Sequence, residues 1–138
     1  MSKTHIPLRK DVPAKDKWDL STLFKSDDDW EKALTSILPM AEKIENCKGK
    51  VGQSADTFLH TLSLLSKMEQ TSEIVGSYAF LLSAGDAGDS ANQEKKSRYL
   101  MAATAAEAKI SFLIPEIQSI DEESVRQWIA TPAFDDYR

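Results

Sequence analysis

The chain has little of the chemistry on which most catalytic and metal sites depend. It contains two histidines and a single cysteine, Cys47. One cysteine excludes an internal disulfide and fits a reducing compartment, so we expect a cytoplasmic protein. Two histidines exclude a metal site built from three histidines. Neither type of residue therefore points to an active site inside this chain.

Basic charge and long apolar runs are also scarce. There are 17 basic and 22 acidic residues, a net charge of −5, which disfavours nucleic-acid binding because that needs a basic surface. No apolar run approaches the roughly 18 residues of a membrane span, so we expect no membrane insertion. The first residues lack an apolar segment typical of a secretory signal.

The apolar periodicity that remains is helical. It predicts an all-α fold, an antiparallel bundle of about four helices with an extended N-terminal arm. We place the arm at residues 1–25 and the helical domain at residues 26–138, with helices at about 27–47, 55–84, 91–113 and 120–130. A chain of 138 residues fits one such domain.

The first predicted helix carries the clearest pattern. Ser26 is placed to cap it, and three aspartates follow in its first turn. Pro39 lies inside the pattern and predicts a kink or a short break, because it removes one backbone donor. The predicted inward face consists of Trp30, Leu34, Ile37, Ala41 and Ile44.

The second predicted helix has two apolar faces, which is typical of a helix at the centre of a bundle. We expect it to bend near Gly76 and the polar residues 69–73. The third helix is rich in alanine, and its small side chains would let Tyr78 and Leu81 of the second helix approach closely. Pro115 predicts the end of the third helix.

The predicted arm contains apolar side chains that would be unfavourable in water. Pro7 and Pro13 favour extended backbone. We expect the arm to fold back over the bundle and bury four side chains against it, each contributing roughly 1.5–3 kcal/mol. These are Trp18, Leu20, Leu23 and Phe24. Trp18, Trp30 and Trp128 are interpreted as core or interface anchors.

Two sets of residues are candidate chemical sites. Asp56 and His60 share a helix face and have the spacing of two metal ligands, but a third ligand is not evident and a surface pair is favoured. His5 is expected to be solvated. Cys47 lies beside Lys48, which could activate its thiol, yet no histidine is near in sequence to act as a base. We interpret Cys47 as structural or exposed.

The acidic residues support no catalytic assignment. Asp86 and Asp89 lie in a glycine-containing turn without the remaining ligands of a calcium loop, so they are interpreted as turn formers and a helix cap. Glu69 and Glu73, like the aspartates at 27–29, are interpreted as a solvated surface, because acid–base catalysis needs two carboxylates converging on a cleft. We therefore predict no catalytic, cofactor-binding or metal-binding residue in this chain.

An ordered set of short motifs resembles a known family. The motifs are Ile6-Pro7-Leu8-Arg9, Val12-Pro13, residues 17–24 (KWDLSTLF), residues 26–30 (SDDDW), Lys48-Gly49-Lys50, Tyr78, Asp86 and Pro115-Glu116-Ile117. Together they resemble the N-terminal region of the oligoendopeptidase F family, which are zinc metallopeptidases of the thimet-oligopeptidase type. The resemblance covers residues 6–138.

The resemblance implies a part of a larger enzyme. In this family zinc is held by a His-Glu-x-x-His motif and a distant glutamate, and short peptides are cleaved inside a helical channel. The motif does not occur here, so the resemblance implies that the chain alone is inactive. It would be an N-terminal helical domain forming part of the wall or lid of the channel. Its partners would be the missing C-terminal catalytic domain, which would bind the zinc, and, in the full enzyme, short peptides.

An alternative stays open on the sequence alone. A free-standing helical module without enzymatic activity would bind a partner helix in a groove and would have a mostly polar surface elsewhere. The domain interpretation instead predicts a sizeable exposed apolar surface, through which the isolated chain could also self-associate.

Overall fold

The computed structural model describes residues 7–137, which form five α-helices and no β-strand. The predicted all-α class is confirmed, with one helix more than the expected four. Short 3-10 turns lie at Arg9–Asp11, Ala14–Asp16 and Pro132–Tyr137. The helices are α1 (Asp27–Glu45), α2 (Ala55–Gly85), α3 (Ser90–Ile110), α4 (Leu113–Gln118) and α5 (Glu122–Ile129).

The three long helices all contact one another. Lys95 near the start of α3 pairs with Asp27 at the start of α1, and Lys109 near the end of α3 pairs with Glu45 at the end of α1. Therefore α1 and α3 run in the same direction, with α2 antiparallel to both. The indole Nε1 of the fully buried Trp30 donates a hydrogen bond to the Val75 carbonyl at 3.0 Å, which joins α1 to α2 inside the core.

The predicted inward face of α1 is buried throughout, from Trp30 to Ile44. Ser26 caps the helix by accepting a hydrogen bond from the Asp29 N–H at 3.2 Å. A break at Pro39 is not observed, because α1 continues through this residue. Pro39 and Thr35 are both exposed, so water can bond the Thr35 carbonyl that lacks a helical donor.

The prediction that Pro115 ends the third helix is wrong. That helix ends earlier, at Ile110, and Pro115 is the third residue of the short helix α4. Proline is tolerated in the first turn of a helix, since the amide it lacks would have no intrahelical acceptor there.

The second helix, α2, is continuous from Ala55 to Gly85, so it does not break near Gly76, where we expected a bend. A Cβ atom on Gly76 would lie 2.5 Å from Cζ of Tyr99, so the glycine makes room for a ring of α3. In this contact the small residue is on α2 and the large one on α3, a pairing that the sequence analysis did not predict. Tyr78 instead packs edge-on against Phe24, with ring centroids 5.3 Å apart.

The extended N-terminal arm is not confirmed. Its first six residues, with His5 and Ile6, lie outside the described part of the chain, as does Arg138. The rest contains two 3-10 turns, at Arg9–Asp11 and Ala14–Asp16. Leu20, Leu23 and Phe24 pack against the core as predicted, whereas Trp18 is 60% exposed. The prediction that Trp18 is buried is therefore wrong.

Candidate functional surfaces

The residues weighed as a metal pair and as a nucleophile line one open pocket. Asp56 and His60 of α2 face it together with Cys47, which follows α1, and the pocket has a volume of about 410 Å³. The Cys47 thiol donates a hydrogen bond to the Lys43 carbonyl at 3.6 Å. The sequence did not indicate that Cys47 and His60 share a pocket, because Cys47 follows α1 and His60 lies on α2.

This pocket lacks the ligands of a metal centre. Within residues 7–137, no group of three or more histidine, cysteine, aspartate or glutamate side chains is placed to hold an ion. Asp56 and His60 are both exposed. Catalytic zinc needs three protein ligands, so these residues do not fit the zinc that the resemblance implies.

Asp86 and Asp89 act as predicted, as a turn former and a helix cap. The Asp86 carboxylate accepts a hydrogen bond from the Gly88 N–H at 3.2 Å. The Asp89 carboxylate accepts from the N–H groups of Ala91 and Asn92, at 2.8 and 3.3 Å. The Asp86 carboxylate therefore satisfies a donor in the turn before α3, and the Asp89 carboxylate satisfies two donors at the start of α3.

A groove of about 450 Å³ separates α2 from α3 and is bordered by carboxylates. Glu69 and Glu73 of α2 and Glu107 of α3 line it, with Met68 and Ile110 among its apolar residues. The three glutamates are exposed and form no ion pair with the described residues. The sequence did not indicate that Glu107 lies at the same groove as Glu69 and Glu73, because Glu107 belongs to another helix.

Glu116 of α4 holds the loop between α1 and α2. Its two carboxylate oxygens accept hydrogen bonds from the N–H groups of Gly49 and Val51, at 2.9 and 3.0 Å. Gly49 has a φ of 77°, a left-handed conformation that favours glycine. Two of the motifs that carry the family resemblance, 48–50 and 115–117, are therefore parts of one contact.

Ion pairs attach one side of α3 to α1. Arg98 forms a two-pronged pair with Glu31, in addition to the Lys95 and Lys109 pairs. The hydrogen bonds from Arg98 lower the pKa of Glu31, and the carboxylate raises the pKa of Arg98. A hydrogen bond to Glu45 likewise raises the pKa of Lys109. The basic side chains on this side of α3 therefore pair with acidic side chains of α1.

Seven exposed positions of α3 between Ser97 and Ser111 carry no charge, and we call them the outer face of α3. The exposed Glu94 lies one turn before this face, and the exposed Glu107 lies beside it in the groove toward α2. The two large side chains of the outer face, Leu100 and Met101, are 45% and 74% exposed, and the nearby Ile114 of α4 is 68% exposed. The outer face consists of Ser97, Leu100, Met101, Thr104, Ala105, Ala108 and Ser111.

The total solvent-accessible surface is large for this chain. It measures 9436 Å² for a mass of 15.4 kDa. A folded monomer of that mass exposes about 7,200 Å² on average, so the excess is about 2,200 Å². Residues 7–26, which precede α1 and are mostly exposed, contribute to it. The excess is more than the ~800 Å² that one partner buries in a standard interface.

None of the helices between residues 7 and 137 combines the length and the apolar content that crossing a membrane requires.

Comparison with known proteins gives consistent matches over most of the chain. Oligopeptidase PepF of Bacillus subtilis is 31% identical over 124 residues, which are 90% of this chain and 18% of that protein. An oligoendopeptidase F homolog of Borreliella burgdorferi is 27% identical over 128 residues, 93% of this chain and 22% of that protein. The chain thus spans about a fifth of the length of these relatives. No family model matches it.

Two crystal structures share the fold. One is oligoendopeptidase-F from Enterococcus faecium, with a TM-score of 0.74 and 22% identity over 82% of this chain and 22% of that one. The other is a putative peptidase from Chlamydophila abortus, with a TM-score of 0.84 and 18% identity over 97% of this chain and 23% of that one. Together with the sequence relatives, they show that the chain matches the N-terminal region of the oligoendopeptidase F family.

Proposed function

We propose that this chain is the N-terminal helical domain of a zinc-dependent oligoendopeptidase and forms part of the wall or lid of its peptide-binding channel. The parent protein would hydrolyse short peptides, while this chain alone would be inactive. One observation carries the proposal. The match to Bacillus subtilis PepF covers 90% of this chain but only 18% of that protein, so nearly everything here corresponds to a small part of something larger.

The surface of the chain supports this proposal. Its excess accessible area of about 2,200 Å² is what a piece of a larger body would expose. The uncharged outer face of α3 adds an exposed apolar surface of the kind that the sequence interpretation predicted. A free-standing module would need instead a single groove in an otherwise polar surface.

The zinc belongs elsewhere in this proposal. Since the described residues offer no set of metal ligands, the zinc and the catalytic residues would lie in the part of the parent beyond this chain. The division into an arm at 1–25 and a helical domain at 26–138, the cytoplasmic location and the absence of nucleic-acid and membrane partners belong to the same proposal. No catalytic role falls to any residue of this chain.

The test begins with the gene. We expect the reading frame to continue past the codon for Arg138 for several hundred codons and to contain His-Glu-x-x-His. The full product should cleave a quenched fluorescent peptide, lose activity with a chelator and contain stoichiometric zinc by mass spectrometry. The 138-residue chain should show neither activity nor zinc. A stop codon after Arg138 would remove the enzyme assignment and leave the helical interaction module.

A further inference from the structure

We infer that the outer face of α3 is the surface on which a helix from the rest of the parent polypeptide packs. This inference rests on the proposed function, because it requires a longer polypeptide. The proposed function does not specify which surface of the domain makes this contact, because α1, α2, α3 and the grooves between them are all partly exposed. We assign the contact to the outer face of α3. The occupant would be a helix with an apolar stripe and no charge at its centre.

The first support is the charge pattern of α3. Lys95, Arg98 and Lys109 of α3 pair with α1, and the exposed Glu107 lies at the groove toward α2. The other seven exposed positions from Ser97 to Ser111 carry no charge. Charged residues make up 28% of the chain, and exposed helix positions are where they normally occur. An exposed face of four turns without any charge is typical of a contact surface, since charged residues are depleted in interface cores.

The second support is the apolar area at the face. Met101 and Leu100 are 74% and 45% exposed, and Ile114 of α4, three residues beyond Ser111, is 68% exposed. Fully burying a side chain of this size contributes roughly 1.5–3 kcal/mol. Between the large side chains lie Ala105 and Ala108, whose small size lets another helix approach to an interaxial distance of about 8 Å. The face therefore has both the apolar area and the shape for helix packing.

The area of the outer face indicates which kind of partner occupies it. The face extends over about 21 Å of helix and is about 10 Å wide, so it offers on the order of 200 Å². A stable association of separate molecules buries about 800 Å² on each partner. A second copy of this chain is therefore a poor occupant of this face alone. A covalently connected helix needs less area, because its high effective concentration removes much of the entropic cost of association.

The inference is tested by cysteine labelling at the face. Ala105→Cys is introduced with Cys47→Ser into the 138-residue chain and into the full gene product. The rate of maleimide labelling at position 105 is measured by peptide mass spectrometry. Lys32→Cys serves as the matched control, since Lys32 lies on α1 with its side chain 79% exposed. Ala108→Cys provides a second position on the face if Ala105→Cys perturbs folding.

We expect labelling at position 105 to be at least about tenfold slower in the full product than in the short chain, with position 32 equally fast in both. Equal rates at 105 in the two proteins would overturn the inference. So would an equal slowing at positions 105 and 32, or a slowing in the short chain as its concentration is raised, which would assign the face to a second copy. A gene that stops after Arg138 would instead overturn the proposed function, and this inference with it.

Discussion

Replacing Glu116 by glutamine should destabilise the fold, because it disrupts the contact between α4 and the α1–α2 loop. The glutamate accepts hydrogen bonds from the N–H groups of Gly49 and Val51, one with each carboxylate oxygen. Glutamine keeps one of these oxygens and places an NH₂ group where the other was. One backbone N–H would then face a donor. The substitution preserves the size of the side chain, so its effect reports the hydrogen bonds and not a cavity.

The expected loss follows from the surroundings of the two amides. A hydrogen bond to a charged group contributes about 1.5–3 kcal/mol. Gly49 is exposed whereas Val51 is fully buried, so the amide oxygen should stay on the Val51 N–H and the NH₂ group should face the Gly49 N–H. The Val51 bond then loses its charged acceptor and the Gly49 bond is replaced by water, so we expect Glu116→Gln to lower the free energy of unfolding by about 1.5 kcal/mol. For a domain of this size the melting temperature should fall by about 5 °C.

Urea unfolding followed by circular dichroism measures the loss directly. The midpoint should fall while the dependence on urea concentration stays constant, since the surface exposed on unfolding does not change. Glu73→Gln is the matched control, because Glu73 is exposed and makes no ion pair with the described residues. If Glu116→Gln changes stability by less than about 0.5 kcal/mol, as a surface substitution does, the contact contributes little and our account of it is wrong.

Three further substitutions test other features. Gly49→Ala should lower stability by about 1 kcal/mol through its φ of 77° alone, because no atom lies within 4 Å of the new Cβ. Gly76→Ala should cost about 2 kcal/mol, since its Cβ would lie 2.5 Å from Tyr99. Arg98→Met should cost at most about 1 kcal/mol, because Arg98 and Glu31 are both more than a third exposed. Arg98 lowers the pKa of Glu31, so this last difference should be present above pH 4.5 and disappear as the pH falls through that lowered pKa. Urea midpoints measure the first two effects, and midpoints from pH 7 to pH 3 measure the third.

Each of these substitutions has a control in the same chain. Gly88→Ala should be nearly neutral, since its Cβ makes only an ordinary contact and its φ is not positive. Ser77→Ala should be neutral next to Gly76, because Ser77 is exposed. Arg126→Met breaks a more exposed pair on α5 and should have a smaller effect than Arg98→Met. A control that equals its test variant would refute the explanation given for that variant.

The helices and caps could be predicted because their signals are local. A stripe from Trp30 to Ile44 repeats at helical spacing, and every member is buried. Ser26 caps α1 as its position indicated. Such signals depend on residues within one or two turns of each other, which a single sequence displays directly.

The contacts that shape the bundle could not be predicted because their partners are far apart in the chain. Glu116 and Gly49 are separated by 67 positions, and no local pattern joins them. From the sequence alone, Gly76 indicates a weak point of α2, because glycine lowers helix stability when no contact requires it. Only the Tyr99 ring across from it shows that the glycine serves close packing. The pocket shared by Cys47 and His60 was missed for the same reason.

The composition of α3 links the fold to the proposed role. Arg98 and other basic residues join it to α1, and Tyr99 joins it to α2. Those two contacts leave Leu100 and Met101 exposed to water. A helix with one side exposed to solvent normally has charged and polar residues on that side. The exposed charges on this side of α3 are Glu94, one turn before the outer face, and Glu107, beside it. An exposed helix face that is uncharged over four turns is typical of a contact surface. The sequence of α3 is therefore better explained by a larger body around it than by a bundle that ends at this surface.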